Sequence, residues 1–235
     1  PRSRGLGDVY KRQVKLREAH PELEFTKLWQ FYGHPTFVKL MADHVRTAWE
    51  AADQKTTRVL FAAHSVPNAA DDASGGPTDQ NLYSRQVAEA ARLIALEAGV
   101  PDYEVVWQSR SGDPRTPWLE PDVVDRTEEI DDANEGVKHI ICVPVGFITD
   151  HMEVIWDLDT ELKEACEERG ITLTRTPTVG LERTFAKLVL DLVDHTAAGT
   201  KPESLSTITV QGCTLNGAPC KEGCCAPRRP KPVAS

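Results

Sequence analysis

Val137-Lys138-His139-Ile140-Ile141-Cys142-Val143 is followed by Pro144-Val145-Gly146-Phe147-Ile148-Thr149-Asp150-His151-Met152-Glu153. The first seven positions end in an unbroken apolar run. A short run that does not alternate with polar residues predicts a strand covered on both faces, the strand type of parallel sheets. Polar and titratable residues then collect, and apolar positions recur at helical spacing over 152–168, up to Gly170. Strand, polar loop and helix in that order form the repeating unit of an α/β fold.

Outward from this stretch the unit recurs. Strands are predicted at 58–63, 103–108 and 171–174 beside 137–143, with helices at 34–53, 80–97, 121–134, 152–168 and 181–195. Pro35 suits a first helical turn, where its missing N–H costs nothing, and Gly99 with Pro101 closes the second helix. The alternation predicts a Rossmann-like parallel sheet flanked by helices. Beyond Gly199 the composition turns to Pro, Ser, Thr, Gly, Cys and Arg, which predicts an irregular cysteine-containing tail.

Composition limits the function classes. The 235 residues are 40% hydrophobic and carry a formal net charge of −9, which argues against an electrostatic nucleic-acid binder. No run approaches the roughly 18 apolar residues of a membrane span. No apolar signal-type stretch stands near the start, so a cytoplasmic protein is expected. Of six cysteines, Cys142 and Cys166 stand apart, while Cys213, Cys220, Cys224 and Cys225 crowd the tail. Such a local cluster in a cytosolic chain points to metal rather than disulfides.

Open parallel sheets bind ligands beyond the carboxyl ends of their strands. His64 stands at one such end, where imidazole can take a proton near neutral pH or ligate a metal. Glu153, Asp157 and Glu161, spaced by four, form one carboxylate row on a helix, with Asp150 and His151 just before it. Like charges at this spacing repel, and a divalent cation or a proton path along the row would compensate. No G-x-G-x-x-G or Walker-type loop follows any strand, and there is no G-x-S-x-G elbow. Cys142 reads as a small buried apolar side chain rather than a nucleophile. The tail cysteines lack C-x-x-C spacing, so a zinc ribbon is poorly supported; Cys213, Cys220 and one of Cys224 or Cys225 could bind a cluster but need a fourth ligand.

These segments together resemble the ferrochelatase family. The resemblance rests on Phe61-Ala62-Ala63-His64-Ser65-Val66-Pro67, Leu82-Tyr83-Ser84-Arg85-Gln86, Trp107-Gln108-Ser109, Pro117-Trp118-Leu119-Glu120-Pro121 and Val143 to Glu153, in the same order. It implies insertion of Fe(II), as substrate, into a free-base porphyrin in haem biosynthesis. His64 matches the active-site histidine and Glu153 its partner acid across the macrocycle. Asp157 and Glu161 match acids that pass metal or protons, and Tyr83, Trp118, Asp150 and His151 fall in the substrate pocket. The tail is most similar to that of actinobacterial members, which carry a 2Fe–2S cluster and use coproporphyrin III; this favours coproporphyrin III over protoporphyrin IX and Cys213, Cys220 and Cys225 as ligands. The family's fourth cysteine lies upstream of Val14, so the cluster is expected to be incomplete here. Other haem-pathway enzymes are the implied protein partners.

Composition and the resemblance together set expected boundaries. Residues 1–13, basic and without an initiator Met, read as a non-native leader; 14–54 as linker and helix crossing from a missing first domain; 55–198 as the C-terminal chelatase domain; 199–235 as the cysteine-rich tail. Two other functions fit the same residues. One is a cobalt or nickel chelatase acting on a sirohydrochlorin-type ring, which the Trp107-Gln108-Ser109 motif and the cysteine tail disfavour. The other is a non-catalytic iron–sulfur or porphyrin-binding module, which leaves the acid row unexplained.

Overall fold

Five consecutive residues, Val59 to Ala63, are wholly inaccessible to solvent, so the strand that carries them lies inside the molecule. This strand, β1 (Thr57–His64), pairs in parallel with β2 (Glu104–Gln108) on one side and β3 (His139–Val143) on the other. β3 pairs in parallel with β4 (Thr172–Arg175), giving the order β2-β1-β3-β4. The computed structural model describes residues 15–208 other than 17, 25, 27, 76–79, 114 and 134. The expected leader 1–13 and the cysteines Cys213, Cys220, Cys224 and Cys225 lie outside the described residues.

Strand alternation divides the core in two. Val59, Phe61, Ala63, Ile141 and Val143 face one layer, formed by α1 (Pro35–Ala51), α3 (Leu82–Ala98) and α7 (Arg183–Ala197). Leu60, Ala62, Ile140 and Cys142 face the other, which holds α4 (Val123–Asp132), α5 (Met152–Trp156) and α6 (Leu162–Glu168). Each fully buried Leu, Ile or Phe here contributes about 1.5–3 kcal/mol. The expected α/β sheet flanked by helices is the architecture formed. No helix among the described residues is long and apolar enough to cross a membrane.

Local chemistry explains most boundaries. The His34 ring accepts from the Thr36 N–H at 3.2 Å and Pro35 opens α1, whose Phe37, Val38, Met41, Val45 and Trp49 are buried. Gly99 takes the left-handed conformation that closes α3. Helix α3 starts later than expected, at Leu82, because Asn81 is left-handed (φ 57°). A short helix, α2 (Asn68–Ala73), was not expected. Its Asp71 is 2% exposed and accepts from the Ser84 N–H (3.0 Å), the Ser84 hydroxyl (2.6 Å) and Asn81 (3.2 Å). Residues 201–208 contain no helix or strand but lie against the domain, with the Leu205 N–H donating to the Gly33 carbonyl at 2.8 Å.

The helix expected over 152–168 is not continuous. Asp157–Glu161 forms a π-helical turn between α5 and α6, in which the Leu162 N–H donates to the Asp157 carbonyl five residues back. In an α-helix every fourth residue drifts by about 40° around the axis; a wider turn drifts the other way. Val154, Leu158 and Leu162, spaced by four, are all fully buried against the sheet. The wide turn keeps that apolar row aligned, and with it the acid row Glu153, Asp157, Glu161.

Burial pushes the Cys142 thiol up to about 12 and the Cys166 thiol up to about 11, so neither supplies appreciable thiolate. Both are free and packed in the second core layer. Iodoacetamide at pH 8 should leave Cys142 and Cys166 unmodified in peptide mass maps until denaturant is added. Alkylation of either in the native protein at the rate of an exposed cysteine would contradict the packing.

Candidate active site

Strand β1 delivers His64 to the carboxyl edge of the sheet, beside the point where the chain turns one way from β1 to β2 and the other way from β3 to β4. Its Nδ1 hydrogen-bonds the Ser65 carbonyl. A carbonyl only accepts, so Nδ1 carries the proton and, in the neutral ring, the lone pair sits on Nε2. Nε2 looks toward Glu153 Oε2 at 3.8 Å. That gap is too long for a hydrogen bond but within reach of charge interaction. Glu153 is the second residue of α5, while Phe147 in the preceding loop is buried in the core beneath.

The histidine is fixed from several sides. The Tyr83 hydroxyl donates to the His64 carbonyl at 2.7 Å, and its ring leans on Trp107 with centroids 5.9 Å apart. Burial pushes the Tyr83 phenol well above its ordinary value, which keeps it protonated and donating. The Ser65 N–H donates to the Gln108 carbonyl at 2.8 Å and the Ser65 hydroxyl to the Leu119 carbonyl at 2.9 Å. The Leu119 N–H donates to the Val66 carbonyl at 3.0 Å, and Trp118 bridges Pro67. Tyr83 and Trp118 thus both stand at the His64 corner, Tyr83 with its hydroxyl committed to the backbone.

Asp157 is held by the end of β2. Its Oδ2 accepts from Gln108 Nε2 at 3.2 Å and from the Ser109 hydroxyl. Gln108, only 1% exposed, also donates to the Glu153 carbonyl at 3.3 Å, so one amide brackets both acid-bearing turns. Its Oε1 is buried and finds no donor among the described residues. Ser109 takes a left-handed backbone (φ 64°) as the chain leaves the sheet.

Arg175, at the end of β4, pins the far side of the loop. It donates to Asp159 at 2.6 and 3.0 Å and to Asp150 at 3.0 Å. Burial works against its charge, but the hydrogen bonds and charges of Asp159 and Asp150 outweigh it and hold the guanidinium proton more tightly. Asp150 therefore has one oxygen committed to an ion pair. His151 is exposed at the start of α5, its ring edge-on to Phe147 at 5.1 Å.

The expected residues are brought together unequally. His64 and Glu153 face each other; Asp157 is tied to Gln108 and Ser109; Glu161 is exposed beyond it, in a groove of about 610 Å³ shared with Asp125, Glu128, Glu164, Trp156 and Arg110. Among the described residues no three His, Cys, Asp or Glu side chains cluster closely enough to hold a metal ion. The carboxylates form a succession of separate positions rather than one ligand sphere. The arrangement sets an imidazole and a carboxylate across a narrow gap, beside an acidic row.

Sequence reasoning missed the bracket of Gln108 and Ser109 and the clamp of Arg175. The Trp107-Gln108-Ser109 segment carries part of the family resemblance, but neither polar side chain was given a role. Arg175 lies just beyond the strand expected at 171–174, and the strand-end rule points to that position too.

A family model described as Ferrochelatase matches residues 6–197. Coproporphyrin III ferrochelatase of Corynebacterium glutamicum (strain R) is 51% identical over 215 residues, covering 89% of this chain and 57% of that protein. The protein of the same name from Nocardia farcinica (strain IFM 10152) is 46% identical over 232 residues, covering 97% of this chain and 64% of that protein. The chain thus spans about three fifths of the length of these curated relatives.

Proposed function

The chain belongs to the ferrochelatase family, and from that premise we propose that the protein inserts ferrous iron into coproporphyrin III, forming coprohaem in haem biosynthesis, a lyase reaction. The observation that carries this reading is the opposition of His64 Nε2 and Glu153 Oε2 across 3.8 Å at the carboxyl edge of the sheet. The choice of porphyrin rests on the names of the relatives above.

Insertion exchanges one Fe(II) for two pyrrole protons, so a base must stand over the ring nitrogens. His64 takes that role: its Nδ1–H is held by Ser65, which aims Nε2 and its lone pair outward. Glu153, opposite, takes the second proton or stabilises the entering cation. Asp157 and Glu161 exchange water on the iron for carboxylate oxygens in stages before it reaches the ring. A flat macrocycle hides its lone pairs, so the walls bend it, and the strain is offset by contacts away from the nitrogens. In this scheme Tyr83, Gln108 and Arg175 are positioning residues, because each acts through another group.

A 2Fe–2S cluster is part of the reading only as far as its donors go. Cys213, Cys220 and Cys224 or Cys225 supply the thiolates such a cluster requires, one short of four, with the last ligand expected from elsewhere in the protein. Bound, the cluster would act as a cross-link tying the tail to that other segment, and no step of the reaction passes through it. We place the reaction in the cytoplasm, where reduced thiols persist, with other haem-pathway enzymes as partners.

The test is anaerobic Fe(II) insertion by the full-length protein, followed by loss of porphyrin fluorescence, with coproporphyrin III beside protoporphyrin IX and cobalt beside iron. Fastest loss with coproporphyrin III and iron is expected. Porphyrin binding without insertion of either metal would overturn the enzyme reading.

A further inference from the structure

We propose that Arg110 is a carboxylate-binding residue that grips a peripheral propionate of the tetrapyrrole. The assignment rests on the ferrochelatase reading above and adds a residue to its substrate contacts. Arg110 directly follows Ser109, whose hydroxyl is bonded to Asp157 and whose left-handed backbone turns the chain off the sheet. Its main chain is therefore fixed relative to the acid row.

Its guanidinium is placed but not used. The nearest carboxylates are Glu120 at 3.6 Å and Asp125 at 3.9 Å, beyond hydrogen-bond distance, and the side chain forms no hydrogen bond among the described residues. By contrast, Arg46, Arg92, Arg126, Arg169 and Arg175 each donate to a carboxylate at 2.6–2.8 Å. The two loose neighbours hold the Arg110 fork at the mouth of the site while leaving its five N–H donors to solvent or ligand. A fork in this state suits bidentate capture of an incoming carboxylate.

The cavity beside it matches the edge of a macrocycle. Arg110 lines a space of about 530 Å³ together with Thr116, Trp118 and Glu120. Trp118 is bridged to Pro67, three residues past His64, so this wall is in register with the base. An indole face suits the apolar ring, and the guanidinium beside it suits the charged arm. Arg115 lines the same space but is already paired to Asp113 at 2.8 Å. Local opposition to an anion comes from Glu120 and Asp125, 70% and 57% exposed and able to turn to solvent, and from the charge of Asp122 nearby.

The experiment measures binding of coproporphyrin III and of its tetramethyl ester to the full-length protein by fluorescence quenching, both in the same detergent and without iron. Arg110→Gln should weaken coproporphyrin III about tenfold and leave the ester unchanged, and Arg110→Lys should recover part of the loss. Equal weakening of acid and ester marks a packing role and overturns the proposal, as does no weakening of either. Iron insertion by the unmodified protein, run in parallel, reports the family activity separately: its failure overturns the enzyme reading while the comparison of acid with ester still decides Arg110.

Discussion

Replacing His64 by alanine in the full-length protein should lower iron insertion by roughly 10²–10⁴-fold, the range for loss of a positioned base, while coproporphyrin III should still bind within a few-fold of normal. The asymmetry follows from the geometry. The imidazole turns one nitrogen toward Glu153 and gives the other to the Ser65 carbonyl. The strand beneath it is kept by two parallel ladders and by the Tyr83 hydroxyl on the His64 carbonyl, which alanine retains. Anaerobic turnover and fluorescence titration of one preparation would show both effects. Near-normal turnover would move the base to another residue.

Substituting Gly146 by alanine costs about 3 kcal/mol of stability, the upper end for forcing one extra carbon into a packed core. A Cβ there would stand 2.7 Å from the Ala63 Cβ and 2.9 Å from the Ala63 Cα. The second contact is backbone of the central strand, so no rotamer change relieves it. The Gly146 N–H also donates to the Ala62 carbonyl at 3.2 Å, pinning the loop where the clash occurs. For a domain of this size the melting temperature should fall by about 10 °C. Iron insertion should fall with it, because Ala63 directly precedes His64. Adding Ala63→Gly, which removes one of the two contacts, should recover part of the loss. An unchanged melting temperature would mean that the loop parts from β1 at no cost.

The strands were legible because burial on both faces leaves its mark directly in composition: nothing polar interrupts Val59 to Ala63. The strand-end rule marked His64 and the loop before Glu153 separately, and their pairing came only from the family resemblance, because strand order is not written in the local pattern. Long-range polar contacts were not legible. The π turn brings together Leu158, a buried apolar anchor, Asp157 bonded to Gln108, and Asp159 bonded to Arg175. The partners Gln108 and Arg175 are 49 and 16 residues away, and periodicity within 152–168 cannot register them. Helix α2 escaped for the same reason, since Asp71 takes its partners from Asn81 and Ser84. Arg175, one residue past the expected strand, shows how a small boundary error hides a long-range contact.

Measured as chain length, the wide turn at Asp157–Glu161 is one residue more than an α-helix needs to join α5 to α6. The surplus is absorbed inside a single turn, and Val154 and Leu162 on either side still meet the same core. A chain with one residue deleted there could close the gap in ordinary α geometry. Glu161 precedes Leu162 by one position, as Asp157 precedes Leu158, so the same deletion would shift the acid row and the apolar row together. The surplus residue sets the register of both faces at once.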